Sequence, residues 1–165
     1  MAVRNIVKNG DPVLSKKSRK VENFDARLWT LLDDMKETMY KANGVGLAAV
    51  QVGTLRRVVV MDCGDGYIEL INPEIVKAEG EQFEQEGCLS FPDEWLYTDR
   101  PMHVTVRYTN RKGEECEITA SGFLAKALTH EIDHLDGKVM FCRRAPEDKI
   151  PQEEEARPRK KRRAR

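Results

Sequence analysis

The segment "THEIDHLDG", residues 129–137, restricts the fold of this 165-residue chain more than any other. Its two histidines stand four apart with a glutamate directly after the first, and on a helix that spacing puts both imidazoles on one face. Phe123, Ala127, His130 and His134 then form one stripe, with Leu124, Leu128, Glu131 and Leu135 beside it. A stripe so rich in apolar residues faces a core. Burying three polar groups there without partners would cost on the order of several kcal/mol. A lone inward histidine is ordinarily a satisfied core residue. Two at this spacing, with an inward glutamate, are better explained by a divalent metal held by His130 and His134, with Glu131 near the open coordination position.

A catalytic metal needs a third protein ligand. Beyond His134 the chain offers no histidine, only the acids Asp136, Glu147, Asp148 and Glu153 to Glu155, most of them in or next to the charged end. Upstream, Cys88 in "EGCLS" follows a glycine at the end of a strand-like stretch and could present a thiolate. Taken alone, Cys88 reads equally well as a small buried hydrophobe. Cys63, Cys116 and Cys142 have no comparable setting and are expected to be structural. The four cysteines are widely spaced and lack the short intervals of a disulfide scaffold, which suits a reducing compartment.

The rest of the chain supplies the frame. "FDARLWTLLDDMKETMYKANG" reads as an amphipathic helix, with Asp25 as N-cap, Leu28, Leu31, Leu32, Met35 and Met39 on its apolar face, and Gly44 as its stop. "GVGLAAVQVG" holds too many glycines for a comfortable helix, and Val58 to Val60 suit a buried strand. "YIELINPEIVKAEG" and "EQFEQEGCLSFP" are interrupted by Pro73, Gly80 and Pro92, which predicts short strands and bends. "MHVTVRYTNRKGEECEITA" predicts a hairpin with Gly113 in its loop. The last helix is expected to start at Ser121 and stop at Gly137. The fold class expected is α+β: mostly antiparallel strands around a C-terminal metal-binding helix, with an N-terminal amphipathic helix.

Charge separates body from tail. The chain holds 28 basic and 28 acidic residues, but seven of the basic ones fall in 157–165, leaving 21 against 28 acids over 1–156, a net charge of −7. One domain is expected over 1–150, followed by a charged, disordered tail over 151–165 that has nothing beyond alanine to bury. No apolar run approaches the roughly 18 residues of a membrane span, and the start "MAVRNIVKNGDP" lacks a secretory core, so a cytoplasmic protein is expected, with no membrane or DNA partner.

Three segments in order, "GVGLAAVQVG", "EGCLS" and "HEIDHLDG", resemble the motifs of the peptide deformylases, and "GDPVLSKKSRKV" resembles that family's opening. The likeness covers about residues 4 to 142. It implies hydrolysis of the formyl group from the formyl-methionine of newly made polypeptides, with Cys88, His130 and His134 holding one divalent ion. The family's ion is Fe2+; thiolate and imidazole also accept Zn2+, Ni2+ or Co2+. It further implies that water activated by the metal attacks the formyl carbon, with Glu131 as general base and then acid. Gln51 and the backbone N–H of Leu89 would donate to the oxyanion. Gly44, Val45 and Gly46 would take an extended peptide as an added strand, and Val45, Leu89 and Ala127 would line the methionine pocket. Asp133 would support a histidine ligand or be an exposed helix charge. Thr129, Trp95 and Lys126 depart from residues common in the family, which bears on substrate preference.

Two other readings compete. An H-E-x-x-H peptidase that cuts internal bonds would leave Cys88 and Gln51 without a task. A nucleic-acid-binding module would work through the tail, whose arginines and lysines bind phosphates. The tail is also compatible with the enzyme, as a ribosome contact near the nascent formylated substrate, and equally with mere solubilisation.

Overall fold

The computed structural model describes residues 2–151. Helix α1 (Ala26–Lys41) is followed by strands β1 (Gly46–Ala48), β2 (Val58–Asp62), β3 (Tyr67–Glu79), β4 (Gln82–Cys88), β5 (Phe91–Arg100), β6 (His103–Thr109) and β7 (Glu115–Ser121), then helix α2 (Phe123–Leu135). One antiparallel sheet has the order β1-β2-β3-β6-β7, and β4 and β5 form a separate hairpin. This is the α+β class expected, with two helices and antiparallel sheets.

The continuous apolar run of β2 has a physical reason: it is covered on both faces. Val58 and Val60 pack with Leu28, Leu32 and Met35 of α1, whereas Val59 and Met61 pack with Leu128, Ile132 and Leu135 of α2. A strand buried on both sides loses the polar alternation of a half-exposed one. The two helices therefore sandwich one end of the sheet, and α2 lies between that end and the β4–β5 hairpin.

Asp25 caps α1 as expected, its carboxylate accepting from the Leu28 N–H at 3.2 Å. The stop differs. Asn43 takes the left-handed conformation (φ 56°), and Gly44 N–H and Asn43 N–H donate to Met39 O at 3.0 Å and Tyr40 O at 3.1 Å. These two bonds satisfy carbonyls that a helix end leaves free. Gly44 instead lies against Leu89: a Cβ there would stand 2.6 Å from Leu89 Cδ1, so any larger residue would have to push that side chain aside. Nor is Ser121 the cap of α2. That place belongs to Gly122, and the Ser121 hydroxyl pairs with His103 Nδ1 at 2.7 Å across the β6–β7 hairpin.

The short strands expected before residue 80 are replaced by one of 13 residues, β3. It survives Pro73 by changing partner. Residues 67–71 pair with β2; pairing with β6 starts at Ile71 and, after a register shift between Ile71 and Glu74, runs on to Glu79. The bend falls at Asn72, with φ 51°, so the proline sits where the ladder is already interrupted. The β6–β7 hairpin is as expected, with Gly113 in its turn at φ 83°.

Gly137 ends α2 at φ 72°, and a Cβ on it would lie 2.5 Å from the Ser15 carbonyl oxygen. Gly137→Ala should therefore destabilise by about 2 kcal/mol or more, because backbone strain and a backbone clash add. Urea unfolding would read this as a lower midpoint at unchanged slope. Of the tail expected over 151–165, only Pro151 falls within the described residues. No helix among those residues is long and apolar enough to cross a membrane.

Candidate metal centre and cavity

The helical stripe is inward as read from its spacing: His130, Glu131 and His134 are 6%, 5% and 0% exposed. Phe123 is the exception, half-exposed at the rim with the Lys126 ammonium 5.1 Å from its ring centroid. Cys88 ends β4, and the turn from β4 to β5 carries its sulfur towards α2. Cys88 Sγ lies 3.4 Å from His134 Nε2, which lies 3.2 Å from His130 Nε2. All three donor atoms fall within 4.8 Å of one another. A tetrahedral ion with bonds of about 2.0–2.1 Å to nitrogen and 2.3 Å to sulfur has edges near 3.3 Å and 3.6 Å, so these residues fit one divalent cation.

Surroundings favour positive charge at that point. Burial pushes the His130 imidazolium down, but hydrogen bonding with Cys88 and Glu86 and the charges of Glu131 and Cys88 outweigh it, to about 10. A cation against Nε2, proton or metal, is what this field stabilises. His134 is held well below its ordinary value, first by burial and then by the neighbouring His130 charge, which keeps its lone pair free. Glu131 is pushed up to about 7, chiefly by burial, with the Glu86 charge adding and those of His130 and Arg100 opposing. Its Oε1 lies 3.9 Å from His130 Nε2, and its buried Oε2 has no hydrogen-bond partner among the described residues.

Behind the cluster stands a polar chain that local spacing did not reveal. His130 Nδ1 donates to Glu86 Oε2 at 2.7 Å, which fixes the ring and leaves Nε2 free towards the cluster, as a metal ligand would need. Arg100 donates to both Glu86 oxygens, Nε at 2.9 Å and Nη2 at 2.7 Å, and from Nη1 to Asp133 Oδ2 at 2.6 Å. Burial raises Glu86, but hydrogen bonds from His130 and Arg100 and their charges bring it down to about 2. Asp133 is thus neither exposed nor bonded to a histidine. It takes Arg100 and Arg143, the latter at 3.0 Å, and Glu86 does the task expected of it. Local alternation could not have pointed to Glu86, because the β4–β5 register shifts between it and Cys88; the one sequence signal was an acid two residues before the candidate ligand.

In front lies a cavity of about 520 Å³ whose lining includes Gly44, Val45, Gly46, Leu89, Ala127 and Glu131. A Cβ on Gly46 would meet Glu131 Oε1 at 2.8 Å, so only glycine lets β1 pass this close to the carboxylate. Gln51 is 1% exposed and reaches the cluster from behind. Its Nε2 donates to Ser90 Oγ at 3.1 Å and more weakly to Cys88 Sγ at 3.6 Å, while its Oε1 accepts from Ala48 N–H at 2.9 Å. The structure thus brings every residue of the expected site to one place.

A family model for Polypeptide deformylase matches residues 3–149. The chain belongs to the peptide deformylase family. It is 59% identical over 141 residues to the peptide deformylase of Acetivibrio thermocellus, covering 86% of this chain and 82% of that one. With the peptide deformylase of Caldicellulosiruptor bescii it shares 55% over 141 residues, covering 86% and 84%. Among solved structures, the peptide deformylase of Thermotoga maritima superposes with a TM-score of 0.87 at 41% identity, covering 88% of this chain and all of that one. As a deformylase it is a hydrolase of a metal-dependent family, removing the formyl group from N-terminal formylmethionine.

Two of its departures from common deformylase residues have local explanations. Thr129 Oγ1 donates back to its own helix, to Ala125 O at 3.1 Å and Lys126 O at 3.0 Å, so the buried hydroxyl needs no outside partner. Lys126 Nζ spans from α2 to the Gln85 carbonyl at 2.8 Å, pinning the hairpin to the helix. Trp95, 58% exposed, lies over Gly87, where a Cβ would touch its ring at 2.8 Å; both line the mouth of the cavity.

Proposed function

We propose that Cys88, His130 and His134 hold one divalent ion, Fe2+ by family likeness, and that the residues around them run the deformylation. Such an ion, when bound, would acidify water and polarise the formyl carbonyl. Glu131 is the base: buried, close to Nε2 of a ligand and raised to about 7, it can accept the proton of the attacking water near neutral pH and pass it to the leaving amine. Gln51 Nε2, through the proton it now lends weakly to Cys88, and the Leu89 backbone N–H donate to the oxyanion. Gly44, Val45 and Gly46 receive the extended substrate as an added strand, and Ala127 bounds the methionine side chain with Val45 and Leu89. The substrate is the nascent formylated polypeptide in the cytoplasm, and the seven basic residues of 157–165 contact the ribosome.

The convergence of one sulfur and two ring nitrogens beside a buried carboxylate with one unpartnered oxygen carries this reading. Protein purified without air should contain one ion per chain, release formate from a formyl-methionyl peptide and leave an unformylated peptide intact. Cys88→Ser exchanges a soft thiolate for a hydroxyl and should weaken metal retention at least about tenfold. Unaltered metal content and turnover in Cys88→Ser would remove the sulfur from the ligand set, and cleavage of the unformylated peptide alone would overturn the assignment.

A further inference from the structure

Helix α1 separates two cavities. The catalytic one takes residues 42–46, just beyond the helix's C-terminal end. A second, also about 520 Å³ but polar, takes Asp25 and Arg27 at its N-terminal end, with Arg19, Lys20 and Arg56. The intervening 16 residues span about 24 Å at 1.5 Å per residue.

The second cavity sets like charges side by side. Arg19 and Arg56 are partners in a parallel β-bridge, held by Arg19 N–H to Leu55 O at 3.0 Å and Arg57 N–H to Arg19 O at 2.9 Å. Bridge partners project to the same side about 5 Å apart, and like charges so placed repel. Arg57, one residue on, shows what a structural arginine does here: its Nη1 donates to Asp136 Oδ1 at 2.9 Å and Leu135 O at 3.1 Å. Among the described residues, Arg19, Lys20, Arg27 and Arg56 have no carboxylate within 4.0 Å. Of the two acids lining the groove, Asp25 spends an oxygen on the Leu28 N–H, leaving Glu22 against four cations. The acidic body of the chain makes this uncompensated group stand out.

We propose that this groove docks the phosphodiester backbone of RNA, with the bridged pair Arg19 and Arg56 on neighbouring phosphates and Lys20 and Arg27 extending the contact. Four cations around one groove, without a carboxylate partner among the described residues, match a polymer with one negative charge per unit better than a single anion. The choice of RNA rests on the deformylase activity, because a newly made polypeptide emerges from an RNA-rich particle. With about a helix length between the groove and the catalytic cavity, docked RNA leaves the substrate path open.

The test uses the full chain with the tail's seven basic residues changed to glutamine, so that the tail does not mask the groove. Binding of a fluorescent ribosomal-RNA hairpin is titrated over salt, and formate release from a formyl-methionyl peptide is followed separately. Arg19→Glu with Arg56→Glu should weaken RNA binding at least tenfold at low salt and flatten the log–log salt slope by about 1.8, two phosphates at roughly 0.9 each. Arg19→Gln with Arg56→Gln should show the same slope change with a smaller loss of affinity. Turnover should stay at the parent level in both pairs, since neither residue lines the catalytic cavity, and it reports an intact fold. An RNA affinity and slope in the glutamine pair within twofold of the parent would overturn the proposal. So would displacement of the RNA by polyglutamate at equal charge, which would make the groove a site for acidic protein.

Discussion

Replacing Glu131 by alanine should lower kcat/KM for a formyl-methionyl peptide by roughly 100- to 10,000-fold, the usual worth of a positioned general base, while the bound metal stays at one ion per chain. The two effects separate because the proposed donor atoms belong to Cys88, His130 and His134, whereas the Glu131 carboxylate stands 3.9 Å from His130 Nε2. A rate within about tenfold of the parent would leave the proton transfer to another group. Glu131→Gln adds a stability readout whose sign follows from burial. In metal-free protein the folded value of about 7 lies above the ordinary 4.5, so the folded state holds its proton more tightly than the unfolded one, and stability falls as pH rises from about 4.5 to 7. Glutamine has no such proton. Glu131→Gln should therefore gain stability relative to the parent across that window and hold the gain above it, as measured by urea midpoints at pH 4, 6 and 8.

What could be read in the sequence follows from the range of each interaction. His130, Glu131 and His134 lie within one and a half turns of a helix, so their common face is a local consequence of its period, and the apolar residues between them say that the face is inward. Cys88 was ambiguous on local grounds and gained its role only beside the other two motifs. Glu86 and Arg100 are different. Their meeting depends on the register of the β4–β5 hairpin, which includes a shift between Glu86 and Cys88, and on the docking of that hairpin against α2. No periodicity encodes either, so Asp133, the only acid on the histidine helix besides Glu131, drew a role that belongs to a strand. The length of β3 was hidden in the same way. Pro73 forbids a ladder bond locally, and only the handover from β2 to β6 makes that loss harmless.

The Arg100 side chain is wholly buried and tied to two carboxylates that are 4% and 7% exposed, so its removal should be strongly destabilising. Arg100→Met fills the volume but strands Glu86, and the expected loss is about 3–5 kcal/mol, the range for breaking a buried ion pair from one side. Arg143→Met is the control. Arg143 also binds Asp133, but its side chain is 37% exposed, so solvent replaces much of what is lost and the cost should be about 1 kcal/mol or less. The sign of the pH dependence distinguishes stranded charge from a packing defect. Glu86 is held at about 2 against an ordinary 4.5, so in the parent its contribution is complete above 4.5 and fades as pH falls towards 2. Without Arg100 the carboxyl loses a main cause of that depression and accepts a proton at higher pH, which relieves the variant first. The gap between parent and Arg100→Met should therefore narrow from pH 7 to pH 4. A gap that stays constant over that range would mean that Arg100 matters for its volume. His130 also loses the anchor of its Nδ1 acceptor in this variant, so metal retention should weaken together with stability, whereas Arg143→Met should leave it unchanged.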